Sequence, residues 1–197
     1  MKPEKTEITK AWAQDIRNAI DVMKCGGVIL YPTDTVWGLG CDATNAEAVK
    51  RVYEIKQRED SKSLICLVDN DARLQRYVAD IPDPAWDIFD LAVNPTTVIL
   101  DGARNLPDNL VAEDGSIAMR ITAEPFSHEL CYRFQRPVVS TSANISGEPT
   151  ARCFDEISEE LKQAVDYVCT SRRNEKNPRP SSIIRLKKDG QVSIIRK

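Results

Sequence analysis

The feature that most constrains this chain is a hydrophobic period that switches repeatedly between helix and strand. Trp12, Ile16, Ala19, Ile20 and Met23 follow helical spacing, and Gly26-Gly27 closes the run, so residues 12–24 read as an amphipathic helix. VILY at 28–31 is a short apolar strand closed by Pro32, and the next residues, 32–44, are turn-rich. Asn45 can cap a following helix with Val49, Val52 and Ile55 on one face. SLICLV at 63–68 reads as a second strand. Helical stretches near 70–78 and 83–92, separated by Pro82, come next. Strands are predicted at 96–100, 117–121, 138–140, 166–169, 182–186 and 192–196, with helices at 125–134 and 154–164. Strands alternate with helices and then cluster near the end, which argues for an α/β fold on a mixed sheet.

With 197 residues, 42% of them apolar, the chain suits one compact domain over 1–197. No apolar run reaches the roughly 18 residues a membrane span needs. MKPEKTEITK lacks the apolar stretch of a signal peptide, so a cytoplasmic location is expected. A net charge of −3 argues against a strong general nucleic-acid binder and leaves room for a local basic cleft. Cys25, Cys41, Cys66, Cys131, Cys153 and Cys169 form no C-x-x-C pair and read as free thiols in a reducing compartment, with Cys66 and Cys169 as small buried hydrophobes. His128 is the one histidine. It reads as a surface or structural residue, so chemistry falls to Lys, Arg, hydroxyls and backbone amides, and no dedicated metal cage is expected.

Four segments carry chemical potential. Tyr31-Pro32-Thr33-Asp34-Thr35-Val36-Trp37-Gly38-Leu39-Gly40 follows a strand, where ligands of open α/β sheets bind. Gly38 and Gly40 permit close backbone approach or positive φ, although the same residues make an ordinary turn. Lys56-Gln57-Arg58, followed by Lys62, can direct two cations at one polyanion or simply decorate a solvated helix end. Ser140 to Thr150 holds five hydroxyls and the Asn144 amide, enough for an anion-binding nest or for a self-capping turn. Arg120 lies inside the apolar strand SIAMRI. Alternation puts it on the face of Ala118, opposite Ile117, Met119 and Ile121. An unpaired buried charge costs several kcal/mol, so Arg120 needs a partner carboxylate or an anionic ligand. Neither a G-x-x-x-x-G-K-S/T loop nor G-x-G-x-x-G is present. The polar segment 170–181, with Arg172, Arg173, Lys176 and Arg179, reads as a mobile loop.

Taken in order, YPTDTVWGLG, KxR at 56–58, SIAMRI, STSANISGEP and PSSIIRL at 180–186 resemble the YrdC-type threonylcarbamoyl-AMP synthases, short form, over about residues 12–196. The resemblance implies a curved mixed sheet with helices around a concave basic cavity. It also implies a reaction in which L-threonine, bicarbonate and ATP, with Mg²⁺, give threonylcarbamoyl-AMP and pyrophosphate for a tRNA-modifying transferase complex downstream. Carried over by motif position, Thr35, Arg120, Ser140 and Ser181 would hold threonine. Arg58, Lys62, Ser116, Ser142, Thr150 and Arg196 would hold ATP, and Lys56, Arg58, Ser142 and Asn144 would serve catalysis. Glu59 replaces the family's usual proline, Ser63-Leu64 replaces Pro-Leu, and Asn94-Pro95-Thr96-Thr97 shortens a WPGPxT-type segment. The alternatives are a non-catalytic RNA-binding module of the same type, gripping RNA in its basic cavity, and a relative that uses carbamoyl phosphate.

Overall fold

The computed structural model describes residues 9–57, 64–176 and 179–197. Helix α1 (Lys10–Lys24) begins at Thr9, whose side chain accepts the Trp12 N–H, and buries Ile16, Ala19, Ile20 and Met23. Strands β1 (Ile29–Tyr31) and β2 (Gly38–Gly40) are antiparallel neighbours. In α2 (Ala46–Lys56) the Asn45 side chain accepts the N–H groups of Glu47 and Ala48, a cap worth about 1 kcal/mol. The helix stops at Gln57, which takes a left-handed φ of 50°. Then come β3 (Ile65–Val68), the short α3 (Asp71–Leu74), α4 (Asp83–Leu91), β4 (Thr96–Asp101), β5 (Ser116–Ile121), α5 (Pro125–Phe134) and β6 (Val138–Ser142). A 3-10 turn at Phe154–Glu156, α6 (Glu159–Ala164), β7 (Tyr167–Val168), β8 (Ser182–Leu186) and β9 (Val192–Arg196) follow.

All nine strands join one sheet in the order β7-β1-β2-β6-β3-β5-β4-β8-β9. The pairs β1–β7, β3–β5 and β4–β8 are parallel and the others antiparallel, so the mixed α/β sheet expected from the element pattern is present. Register decides what each face does. Cys66 pairs with Met119 and Val139, and Met119 with Val98. These four, with Ile117 and Leu100, pack against Val49 and Val52 of α2 and Ala85 of α4. Fully burying each such side chain contributes about 1.5–3 kcal/mol. On the opposite face, Leu67 and Val138 pack with Ile16 and Ala19 of α1 and Phe126 and Leu130 of α5. Further along that second face, Ile65 pairs with Ala118 and Ser140, and Ala118 with Ile99. These residues form the floor of a cavity rather than a seat for a helix.

Candidate active site

The cavity measures about 240 Å³. Its floor is apolar, from Ile65, Ile99, Ala118 and Ile183, and its walls carry hydroxyls and two guanidinium groups, Arg120 and Arg196. Each wall has a local cause. Beyond β1, the Thr33 hydroxyl donates to the Val36 carbonyl at 2.8 Å and accepts the Thr35 N–H at 3.0 Å. This side chain-to-backbone turn holds Thr35 at the strand end. Ser140 and Ser142 alternate on β6, so both face the cavity. Ser181 precedes β8, and its hydroxyl shares a hydrogen bond with Thr97 at 2.9 Å. Arg196 donates from Nε to the Ser181 carbonyl at 2.9 Å. Burial, and then the charge of Arg120, hold the Arg196 guanidinium below its usual range.

Arg120 has the partner carboxylate that a buried arginine asks for. Ile117 and Met119 point into the core while Ala118 and Arg120 line the cavity. Its side chain is 3% exposed, and Nη2 lies 2.9 Å from Asp34 Oδ1 and 3.5 Å from Thr35 Oγ1. Nε, also buried, has no hydrogen-bond partner among the described residues. Arginine therefore has its counter-charge and still carries an unspent donor in the wall of a cavity. Buried donors without acceptors are rare in folded chains, and this one fits an anionic ligand group.

Seven of the residues singled out from sequence line this one cavity: Thr35, Arg120, Ser140, Ser142, Thr150, Ser181 and Arg196. Lys56 sits behind it. The ammonium, on a residue only 2% exposed, donates to the backbone carbonyls of Ser142 at 2.6 Å and Asn144 at 2.7 Å. Asn144 Nδ2 donates to the carbonyls of Ile145 and Glu148, and its buried Oδ1 has no partner. Both residues thus brace the loop after β6. Ser116 is buried at the start of β5, where its N–H donates to Asp114 at 3.0 Å, and it is not among the lining residues. It shares the Arg120 face but lies about 13 Å along the strand. Arg58 and Lys62, with Glu59 and Ser63, lie outside the described residues.

The sequence reading assigned no role to Asp34, although an arginine within an apolar strand asks for a carboxylate. Gly38 and Gly40 do not take positive φ. Gly40 serves close approach instead, since a Cβ there would meet the Tyr31 ring at 2.6 Å and the Val139 carbonyl at 2.9 Å. The 170–176 stretch is tied down: Arg172 pairs with Glu124 at 2.8 Å and Glu175 at 2.7 Å, and Asp15 accepts the N–H groups of Thr170 and Ser171. Arg173 donates to the carbonyls of Cys169 and Val168 and lies over the Phe154 ring. These two arginines hold the fold together, which removes much of the basis for reading the loop as an RNA contact.

Among the described residues, no helix is long and apolar enough to cross a membrane. The chain is similar to the curated threonylcarbamoyl-AMP synthase of Pseudoalteromonas translucida, 42% identical over 155 residues that cover 77% of this chain and 83% of that one. In structure it resembles E. coli YciO, with a TM-score of 0.81 and 26% identity over 93% of this chain and 89% of that chain. It also resembles P. abyssi Sua5 complexed with L-threonine, with a TM-score of 0.79 and 26% identity over 91% of this chain. The match spans about half of the Sua5 chain, 52%. A family model named for Sua5, YciO and YrdC and described as "Telomere recombination" matches residues 21–197. The chain belongs to the Sua5/YciO/YrdC family.

Proposed function

We propose that this cavity joins L-threonine, bicarbonate and ATP into threonylcarbamoyl-AMP, releasing pyrophosphate. The observation that carries the reading is the unspent Nε donor of Arg120 in a cavity walled by hydroxyls and a second arginine, in a chain whose relatives bear the synthase name. The amine of threonine, having lost its ammonium proton to solvent, combines with bicarbonate to give a carbamate and water. A carbamate oxygen then attacks the α-phosphate of ATP, and the bond to the leaving pyrophosphate breaks.

Threonine binds by its carboxylate to Arg120, with Thr35, Ser140 and Ser181 as hydroxyl partners. A site that pairs a ligand hydroxyl rejects analogues lacking it, by about 10⁴ in good cases. ATP is held by Arg196, Ser142 and Thr150, with Arg58, Lys62 and Ser116 as further contacts. Lys56 and Asn144 shape the loop that follows Ser142. Phosphoryl-type transfer depends on positioning and charge neutralisation more than on a nucleophilic side chain, which suits this inventory. The described residues gather no cluster of three or more metal-ligating side chains, so Mg²⁺ accompanies ATP on its phosphates and no step is assigned to it. The chain works as one domain over 1–197, in the cytoplasm, and its product is consumed by a transferase complex that modifies tRNA. Any RNA contact is made through the basic cavity.

The test is pyrophosphate release from ATP, with threonine and bicarbonate omitted in turn. Dependence on both is expected. Release that continues without threonine, or that uses carbamoyl phosphate in place of bicarbonate, would overturn the reading.

A further inference from the structure

Arg120 is held from behind. Thr35 and Arg120 line the substrate cavity, whereas Asp34 borders a separate cleft of about 240 Å³ with Phe89, Thr96, Ile121 and Glu124. The carboxylate therefore reaches the guanidinium from the far side. Its 2.9 Å approach to Nη2 is an ionic contact without an aligned hydrogen bond, since Oδ1 has no hydrogen-bond donor. The same Nη2 nitrogen leans on Thr35 Oγ1 at 3.5 Å, and the buried Nε has no acceptor among the described residues. Arg196 adds a second positive charge to the same cavity, close enough for Arg120 to disfavour its ionised form. A buried arginine facing a like charge needs a fixed counter-charge to keep its place. Burial, and then Glu124, raise the Asp34 carboxyl above its usual range, against the pull of Arg120 and Arg172.

We propose that Asp34 is a positioning residue for threonine: it anchors the Nη2 end of Arg120 so that the Nε edge faces the carboxylate of the amino acid. This rests on the reading of the cavity as a threonine site. Asp34 acts through Arg120, so its removal damages threonine binding and spares ATP, at a cost in stability from the buried guanidinium left without its counter-charge.

Calorimetric titration with L-threonine, and separately with ATP, tests this on the parent, Asp34→Asn, Asp34→Glu, Arg120→Ala and the double variant Asp34→Asn/Arg120→Ala, with thermal melts of each. Asp34→Asn is expected to weaken threonine binding about tenfold, the effect of one misdirected charge-assisted hydrogen bond, with ATP affinity unchanged and the melting temperature lowered by the loss of the counter-charge. Asp34→Glu, which keeps the charge, recovers part of the loss. The double variant binds threonine no more weakly than Arg120→Ala alone, because the two residues form one unit. The proposal falls if Asp34→Asn binds threonine as the parent does. It also falls if both affinities drop together, if the two single effects add, or if Asp34→Asn does not fold. A parent that binds ATP but no threonine would instead overturn the assignment of the cavity, and this inference with it.

Discussion

Replacing Lys56 by methionine separates a bracing role from direct phosphate contact. Lys56 ends α2, is 2% exposed, and donates to the carbonyls of Ser142 and Asn144 at 2.6 and 2.7 Å. Its own carbonyl accepts the Ser146 N–H at 2.8 Å. A hydrogen bond to a charged group is worth about 1.5–3 kcal/mol net, and a buried acceptor left unpaired costs about 1–3 kcal/mol. Methionine forfeits the ammonium bonds to Ser142 and Asn144, but it also removes the several kcal/mol needed to keep the ammonium out of water. The backbone bond from Ser146 survives. The balance is a loss of about 2–4 kcal/mol, or about 4–16 °C in melting temperature for a chain of this size. Urea denaturation reads the stability, and calorimetry with ATP reads the site. Both are expected to fall, because Ser142 lines the cavity and depends on the braced loop. Unchanged stability with lost ATP affinity would refute the bracing role and hand the ammonium to a phosphate. Lost stability with unchanged ATP affinity would show that the loop does not shape the nucleotide site.

Gly40→Ala should destabilise by about 3 kcal/mol, the upper part of the range for overpacking, because both Tyr31 and a backbone carbonyl block the new methyl. In urea melts Gly38→Ala is the control, since its Cβ meets nothing closer than 3.4 Å. Asp166 has its carboxyl held below the usual range: burial opposes this, and the Val28 N–H and Arg51 outweigh it. That stability is present above the unfolded carboxylate range and is lost as pH falls through the lower folded value, so Asp166→Asn should flatten the acid side of the stability profile, measured by melts between about pH 3 and 6. Thiol labelling of the native protein at neutral pH should modify the exposed Cys25 first. Cys66, fully buried and pushed up to about 12 by burial, should react only after unfolding.

The elements with strong period and caps are legible in the sequence, and the others show what sequence signals omit. The expected helix at 125–134 is α5 itself, with Pro125 at its start and Glu124 accepting the N–H groups of Phe126 and Ser127. Residues 32–44 read as turn, yet Gly38–Gly40 is a strand between β1 and β6; glycine carries no strand signal, and here its value is closeness to Tyr31. The hydroxyls of Thr141 and Ser142 read as loop, but pairing with Leu39 and Gly38 extends β6 through them. The helix expected at 154–164 splits because Ser158 caps a new start at α6. The site was legible by type and not by assembly. Asp34 and Arg120 stand 86 positions apart, and their meeting follows from a strand order that differs from chain order. Motif resemblance collected the set, and only geometry separated residues that line the cavity from Lys56, which braces it.

Charge alone does not find this site, because several other arginines here are also matched to acids. Arg51 meets Asp166, Arg73 meets Asp69, Arg136 meets Asp42, and Arg172 meets Glu124. An orphaned nitrogen alone does not find it either. Arg185 also leaves Nε unpartnered, but Nη2 contacts two carboxylates, Asp101 and Asp114, and the residue does not line the cavity. Arg120 differs in having a single carboxylate, set behind it, and in lining the cavity. One counter-charge keeps the guanidinium affordable inside the fold, while the unspent edge keeps it available. A second carboxylate on the cavity side would satisfy Nε and leave nothing for a ligand. The incomplete pairing of Arg120, rather than its charge, is therefore what makes this strand face a binding surface.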